Sequence, residues 1–176
     1  MPYRFDRLRA LTPVAFAAAL LALGGACGRT ETTTDESIPV PPESPGNEWN
    51  DAQIAWQPYA AGLAKAKAEN KPVCLVVYGD WCPHCTTYKR VFRDPRVVKS
   101  ARDFVMIRVN GDQEEAAAEE RQAPDGKYVP RTLFLSPNGA HAENIHAGRS
   151  KYRYFFDEHN PASLLGGMES ARRLVQ

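Results

Sequence analysis

The six residues Val73-Cys74-Leu75-Val76-Val77-Tyr78 constrain the fold of this chain more than any other segment. The run is apolar throughout and rich in β-branched side chains. It is too short for an amphipathic helix, and it lacks the apolar–polar alternation of a half-exposed strand. It reads as a central strand buried on both faces. Such a strand needs neighbouring strands and a covering layer above and below, so the surrounding chain must be a layered α/β domain.

The flanking sequence supplies those layers. Asn50 to Asn70 carries Ile54, Tyr59, Leu63 and Ala66 at roughly helical spacing and stops at Asn70-Lys71-Pro72, predicting a helix. After the strand, Gly79-Asp80 marks a turn. A second helix opens near Cys82 with Pro83 in its first turn, where a missing N–H costs little. Cys85, Tyr88, Val91 and Phe92 form its apolar stripe, and Asp94-Pro95 ends or kinks it. Phe104 to Val109 is a second strand, and Asp112 to Gln122 is an acidic, Ala-rich stretch read as a short solvated helix. Thr132 to Ser136 is a third strand; Pro137-Asn138-Gly139 then turns the chain into a fourth, around His141 to Ile145. Pro161 to Val175 closes the chain as a helix carrying Leu164, Leu165, Met168 and Leu174. Helix-linked strands imply parallel neighbours and the hairpin an antiparallel edge, hence a mixed sheet between helices.

The N-terminus follows a different logic. Arg4, Arg7 and Arg9 precede an apolar run from Ala10 to Leu23, a basic n-region followed by a short h-region. The run falls short of the roughly 20 residues of a membrane-spanning helix, so a secretory signal is favoured over a transmembrane anchor. It ends in Leu23-Gly24-Gly25-Ala26-Cys27, which resembles a bacterial lipobox, with Gly24 where that pattern prefers leucine. Residues 1–26 are read as a lipoprotein-type signal peptide and Cys27 as the lipidated residue. The alternative is ordinary cleavage near Ala26, leaving Cys27 a stray thiol. Gly28 follows the cysteine where an inner-membrane protein of enteric bacteria carries aspartate, which leans the expectation toward the outer membrane. Residues 27–48 are dominated by Thr, Glu, Ser and Pro and are read as a tether that cannot bury enough surface to order itself. Residues 49–176 form the domain. The net charge of +1 becomes −1 once three arginines and one aspartate leave with the signal, and neither value suits a nucleic-acid partner.

The chemistry sits at Trp81-Cys82-Pro83-His84-Cys85. A Cys-x-x-Cys after a buried strand and at the opening of a helix is a redox pattern. Free N–H groups and the helix dipole favour a thiolate at Cys82. Cys85 lies one turn on, in reach of a mixed disulfide formed at Cys82. His84, when protonated, brings a second positive charge and moves the pair toward an oxidising poise. A structural disulfide, half of a zinc site, or copper(I) on two thiolates are the competing readings. Zinc needs two further ligands, and His141, His146 and His159 have no obvious pairing. No metal or organic cofactor is implied by the redox reading.

From Ala61 to Val175 the chain resembles the small endoplasmic-reticulum thioredoxin-domain proteins related to the anterior gradient family. The matching pieces are AKAENKPV, WCPHC with Lys89 shortly after, FVMIRVN, the DGKYVPR and LFLSPNG block, the KYRYFF patch and the closing helix. The resemblance implies a thioredoxin fold and thiol–disulfide exchange on protein substrates, with a redox partner protein. It implies a cis-proline at Pro130, facing the cysteines, with Val129 offering its backbone to a substrate strand. Trp81 itself reads as rim packing beside the active sulfur, with simple core packing as the alternative, and the dipeptide Pro83-His84 as what tunes that sulfur.

One departure stands out. Many thioredoxins bury an acid six residues before the first cysteine; here that residue is Val76. Asp80 or a water molecule is left as the group that deprotonates Cys85. Cys74, on the central strand, reads as a small buried hydrophobe rather than a third redox cysteine. The Tyr152, Tyr154, Phe155, Phe156 cluster reads as packing against the sheet, with a partner surface as the alternative, and Trp49 and Trp56 as core or helix anchors.

Overall fold

A computed structural model describes residues 48–113 and 125–175. The signal peptide, Cys27, the tether up to Asn47, and most of the acidic helix expected after Asp112 lie outside the described residues. In chain order the elements are α1 (Tyr59–Glu69), β1 (Val73–Tyr78), α2 (Pro83–Tyr88), a 3-10 turn (Lys89–Arg93), α3 (Pro95–Ala101), β2 (Val105–Asn110), β3 (Arg131–Leu135), α4 (Pro161–Ala171) and a closing 3-10 turn (Arg172–Val175).

β1 is the centre of a three-stranded sheet ordered β2-β1-β3. β2 runs parallel to it, with Leu75 opposite Ile107. β3 runs antiparallel, with Leu75 opposite Leu133. Alternate residues of β1 feed two separate cores. Cys74 and Val76 join Met106, Phe134, Tyr88, Val97, Leu164 and Met168 on one face. Val73, Leu75 and Val77 join Ile107, Leu133, Tyr59 and Ala66 on the other. That two-sided burial is why the strand's sequence is continuously apolar.

Two glycines allow the layers to close. A Cβ at Gly62 of α1 would sit 2.4 Å from Ile107 Cγ1, and one at Gly167 of α4 would sit 2.6 Å from Phe134 Cε2. Each helix rests on the sheet at a spot where only hydrogen fits.

Three expectations change. The first helix starts at Tyr59, not Asn50. Pro58 holds Gln57 extended, and Gln57 pairs with the edge of β2 through its N–H to the Met106 carbonyl at 2.9 Å. The preceding residues pack without helix: Trp49 and Ile54 are buried, and the Asn50 side-chain amide donates to the Phe92 carbonyl at 2.9 Å. The third strand, not the fourth, supplies the antiparallel partner of β1. The expected fourth strand shrinks to a single bridge between Leu135 and His141. Its residues, His-Ala-Glu-Asn, lack the β-branched run that would extend pairing, and the chain turns away as the Ile145 N–H bonds the Ala142 carbonyl. The second helix ends at Tyr88, and Asp94-Pro95 ends the 3-10 turn that continues it and also starts α3, with the Asp94 carboxylate accepting from the Arg96 N–H at 2.8 Å.

Candidate active site

Cys82 is the N-cap of α2, in extended backbone geometry, and Pro83 occupies the first helical position. The Cys82 sulfur accepts the Cys85 N–H at 3.3 Å and faces the Val129 carbonyl at 3.6 Å. One of the free N–H groups at the helix start is thus satisfied by sulfur. Both cysteines are free thiols. Cys82 is 3% exposed and Cys85 1%. Burial pushes the Cys85 thiol up to about 12, against a backbone hydrogen bond at Gly79 that lowers it; the Cys82 sulfur adds to the rise, and the Lys89 charge opposes it.

Val129 and Pro130 are brought opposite Cys82 by the turn before β3, and the bond between them is cis. The DGKYVPR block explains how that turn is held. The Tyr128 hydroxyl donates to Asp125 Oδ2 at 2.7 Å and accepts the Tyr154 N–H at 2.9 Å. The same carboxylate oxygen accepts the Arg153 N–H at 2.7 Å, and the Arg131 guanidinium donates to the Gly126 carbonyl at 2.7 Å. Burial, with the hydrogen bond to Asp125, raises the Tyr128 phenol and keeps it protonated as a donor.

The rim is built from both sides of this turn. Trp81 is 69% exposed; its indole N–H donates to Asp112 at 2.8 Å. The ring folds over Gly79, where a Cβ would lie 3.0 Å from it. Between Trp81 and Tyr128 a groove of about 280 Å³ runs past Val129, Asp112 and Arg131. On the other side His84 Nδ1 lies 2.9 Å from the Glu158 carboxylate and its ring meets Phe155 edge-on at 5.6 Å.

Residues 55–137 match the family model described as thioredoxin-like. The human anterior gradient protein 2 homolog is 30% identical over 172 residues, covering 93% of this chain and 96% of the relative. The chain belongs to the anterior gradient family of thioredoxin-like proteins. Anterior gradient protein 1 of Xenopus laevis is 29% identical over 157 residues, 85% of this chain and 82% of that one. Among solved structures, a thioredoxin from Thermus thermophilus superposes with a TM-score of 0.54 at 24% identity, over 67% of this chain and 86% of that chain.

In this anterior gradient family member the structure gathers Trp81, Cys82, Pro83, Cys85, Val129 and Pro130 at one end of β1. It turns His84 toward Glu158, so a carboxylate lies beside the imidazole. Glu158 is 74 residues away in the chain, and no local sequence signal links it to His84. Asp80, offered as a proton acceptor, is exposed and accepts from the Asn110 amide at 2.8 Å. Val76 lies in the core beneath the helix. Cys74 is fully buried and its thiol is pushed up by burial, as befits a packing residue. Tyr154 and Phe156 are buried while Tyr152 is 43% exposed, so the aromatic cluster is divided between core and surface. Among the described residues no three His, Cys, Asp or Glu side chains come together in a way that could hold a metal. Two thiols one helical turn apart in a thioredoxin-like domain support a thiol–disulfide oxidoreductase-type function.

Proposed function

We propose that this protein is a periplasm-facing, lipid-anchored thiol–disulfide oxidoreductase acting on protein cysteines through Cys82 and Cys85. The observation that carries the reading is the Cys82 sulfur, set between the Cys85 N–H at 3.3 Å and the Val129 carbonyl at 3.6 Å. The amide donor stabilises sulfur as it becomes anionic, and the carbonyl marks where a client backbone runs alongside the site.

In reduction, the Cys82 thiolate attacks one sulfur of a client disulfide. A Cys82–client bond forms and the other client sulfur leaves as a thiolate. Cys85 then loses its proton and attacks the Cys82 sulfur, closing the Cys82–Cys85 bond and releasing the second client thiol. The same two steps reversed oxidise a client dithiol. The balance between them follows the potential of the pair against its redox partner, and Pro83 and His84 set that potential from within the motif. Attachment through Cys27 and a tether over residues 27–48 would place the domain at a membrane, with the outer membrane favoured.

A Cys85→Ala chain expressed in a bacterial periplasm should accumulate client mixed disulfides at Cys82, visible on non-reducing gels and lost in Cys82→Ala/Cys85→Ala. An empty trap would sink the reading. Lipid attachment is read separately, by membrane fractionation and palmitate labelling of the full chain against Cys27→Ser.

A further inference from the structure

Among the described residues two cations are buried, Arg131 at the start of β3 and Lys89 beside Cys85, and the exchange steps use neither. Lys89 is 9% exposed. It stands four residues after Cys85, at the junction of α2 with the 3-10 turn, and its N–H bonds the Cys85 carbonyl. Residues at that spacing share a helix face, and both face inward. The ammonium lies over the Trp49 ring, 5.5 Å from its centroid, and is paired with the Glu48 carboxylate. Trp49 is itself fixed against Tyr78 at 5.0 Å and Phe92 at 5.7 Å. Glu48 is mostly in water, its side chain 57% exposed against 11% for Lys89, so the pair reaches inward from the surface.

Arg108 shares the Trp49 ring, its guanidinium 5.8 Å from the centroid, and pairs with Asp51 at 3.0 Å, while Asp80 accepts from Asn110. No carboxylate occupies the strand position beneath the active-site helix, because Val76 is there. Burying an ammonium is costly unless its charge is used or paired.

We propose that Lys89 is a positioning residue for the resolving step: held at the end of the active-site helix with its ammonium over Trp49, its charge stabilises Cys85 as a thiolate. The inference rests on the oxidoreductase reading above. Lys89 charge is among the influences that lower the Cys85 thiol against its burial. In the step itself the Cys85 proton passes to water. The thiolate attacks the Cys82 sulfur, the Cys82–Cys85 bond forms, and the Cys82–client bond breaks with its electron pair leaving on the client sulfur.

The test uses the reduced full chain in a Cys27→Ser background, mixed with 5,5′-dithiobis(2-nitrobenzoate) in a stopped-flow instrument. A first phase reports attack by Cys82. A second, absent from Cys85→Ala, reports attack by Cys85 on the mixed disulfide. Lys89→Met and Lys89→Gln should slow the second phase about tenfold at neutral pH and move its pH profile about one unit alkaline, as loss of one nearby buried charge predicts. Lys89→Arg should stay close to the unaltered chain, and the first phase should not move. Glu48→Gln, at an exposed carboxylate, removes the counter-charge and should quicken the second phase. A folded Lys89→Met or Lys89→Gln with an unmoved second phase, or a Glu48→Gln chain slowed in it, overturns the role of Lys89 while the oxidoreductase reading stands. An unaltered chain with no first phase overturns both.

Discussion

Replacing Cys82 with alanine leaves Cys85 as the lone thiol of the motif and turns its burial into a measurable rate. With its pKa pushed up to about 12, Cys85 at pH 8.5 is ionised to about one part in three thousand, whereas a free thiol is about half ionised. The thiolate population is therefore down about 1,600-fold. A thiolate of higher pKa is also the better nucleophile. A Brønsted slope of 0.4–0.5 over about 3.5 units returns a factor of about 40. The net expectation is a reaction with a small aromatic disulfide about 40-fold slower than that of glutathione at the same pH. Restricted access at 1% exposure pushes the rate lower still. Removing Cys82 takes away two of the smaller influences that raise the thiol and leaves burial, the largest, in place. Site-resolved mass spectrometry of the chain reacted with 4,4′-dithiodipyridine reads the rate. It should climb about tenfold per pH unit to beyond pH 10. A rate equal to that of glutathione, or a plateau below pH 9.5, would refute the view that burial holds the Cys85 thiol up.

Other consequences are open to direct test. Gly167→Ala puts a Cβ against Phe134 and Phe156 at 2.6 and 2.9 Å and should cost about 1–3 kcal/mol, read as a lower urea midpoint at unchanged slope. Gly166→Ala, with nothing within 4 Å, should instead hold or raise the midpoint. Tyr128→Phe strips Asp125 of a donor and the Tyr154 N–H of its acceptor, and should lower stability by about 1–3 kcal/mol in thermal unfolding. Burial raises the Cys74 thiol and the Tyr88 phenol in the folded state. The unfolded chain therefore loses these protons first as pH rises. Their contribution is intact below the unfolded values and is lost on the way up through the folded ones. Urea midpoints should fall progressively above about pH 9, and a midpoint that rises there would contradict the assigned burial.

What was legible in the sequence was local. β1 announces itself because both faces are buried and no polar residue interrupts it. Cys82 and Pro83 mark a helix start because cap and first-turn positions have sharp residue preferences. Asp94-Pro95 is the same signal, read as a stop when it also begins α3. The failures are equally physical. Ile54 and Tyr59 fit one helical stripe by spacing, yet Pro58 divides them and Gln57 joins the sheet edge. The helices joining the strands implied parallel neighbours throughout, but the direction of β3 depends on the whole connection after Asn110, whose course no short window contains. The hairpin after Leu135 was marked by its turn residues, while its returning arm had too little β-branched surface to remain a strand.

The candidate site divides along the same line, and the division bears on its chemistry. The two sulfurs and the Pro-His dipeptide between them lie within four consecutive residues, so the motif was visible at once. The long-range contacts around them come from elsewhere: Glu158 to His84 across 74 residues, Val129 to Cys82 across 47, Glu48 to Lys89 across 41. Two of those partners are placed by their surroundings, Glu48 beside the buried Trp49 and Val129 by the Asp125–Tyr128–Tyr154 clamp before β3. A redox pair assembled this way can keep its motif unchanged while its reactivity shifts with any residue that moves the N-terminal segment or the clamp. Tyr128→Phe is therefore expected to loosen the Val129 turn and alter the rate of client exchange at Cys82 even though it touches neither cysteine, and equal first-phase rates with a peptide disulfide before and after that change would show that the turn holds its place without the clamp.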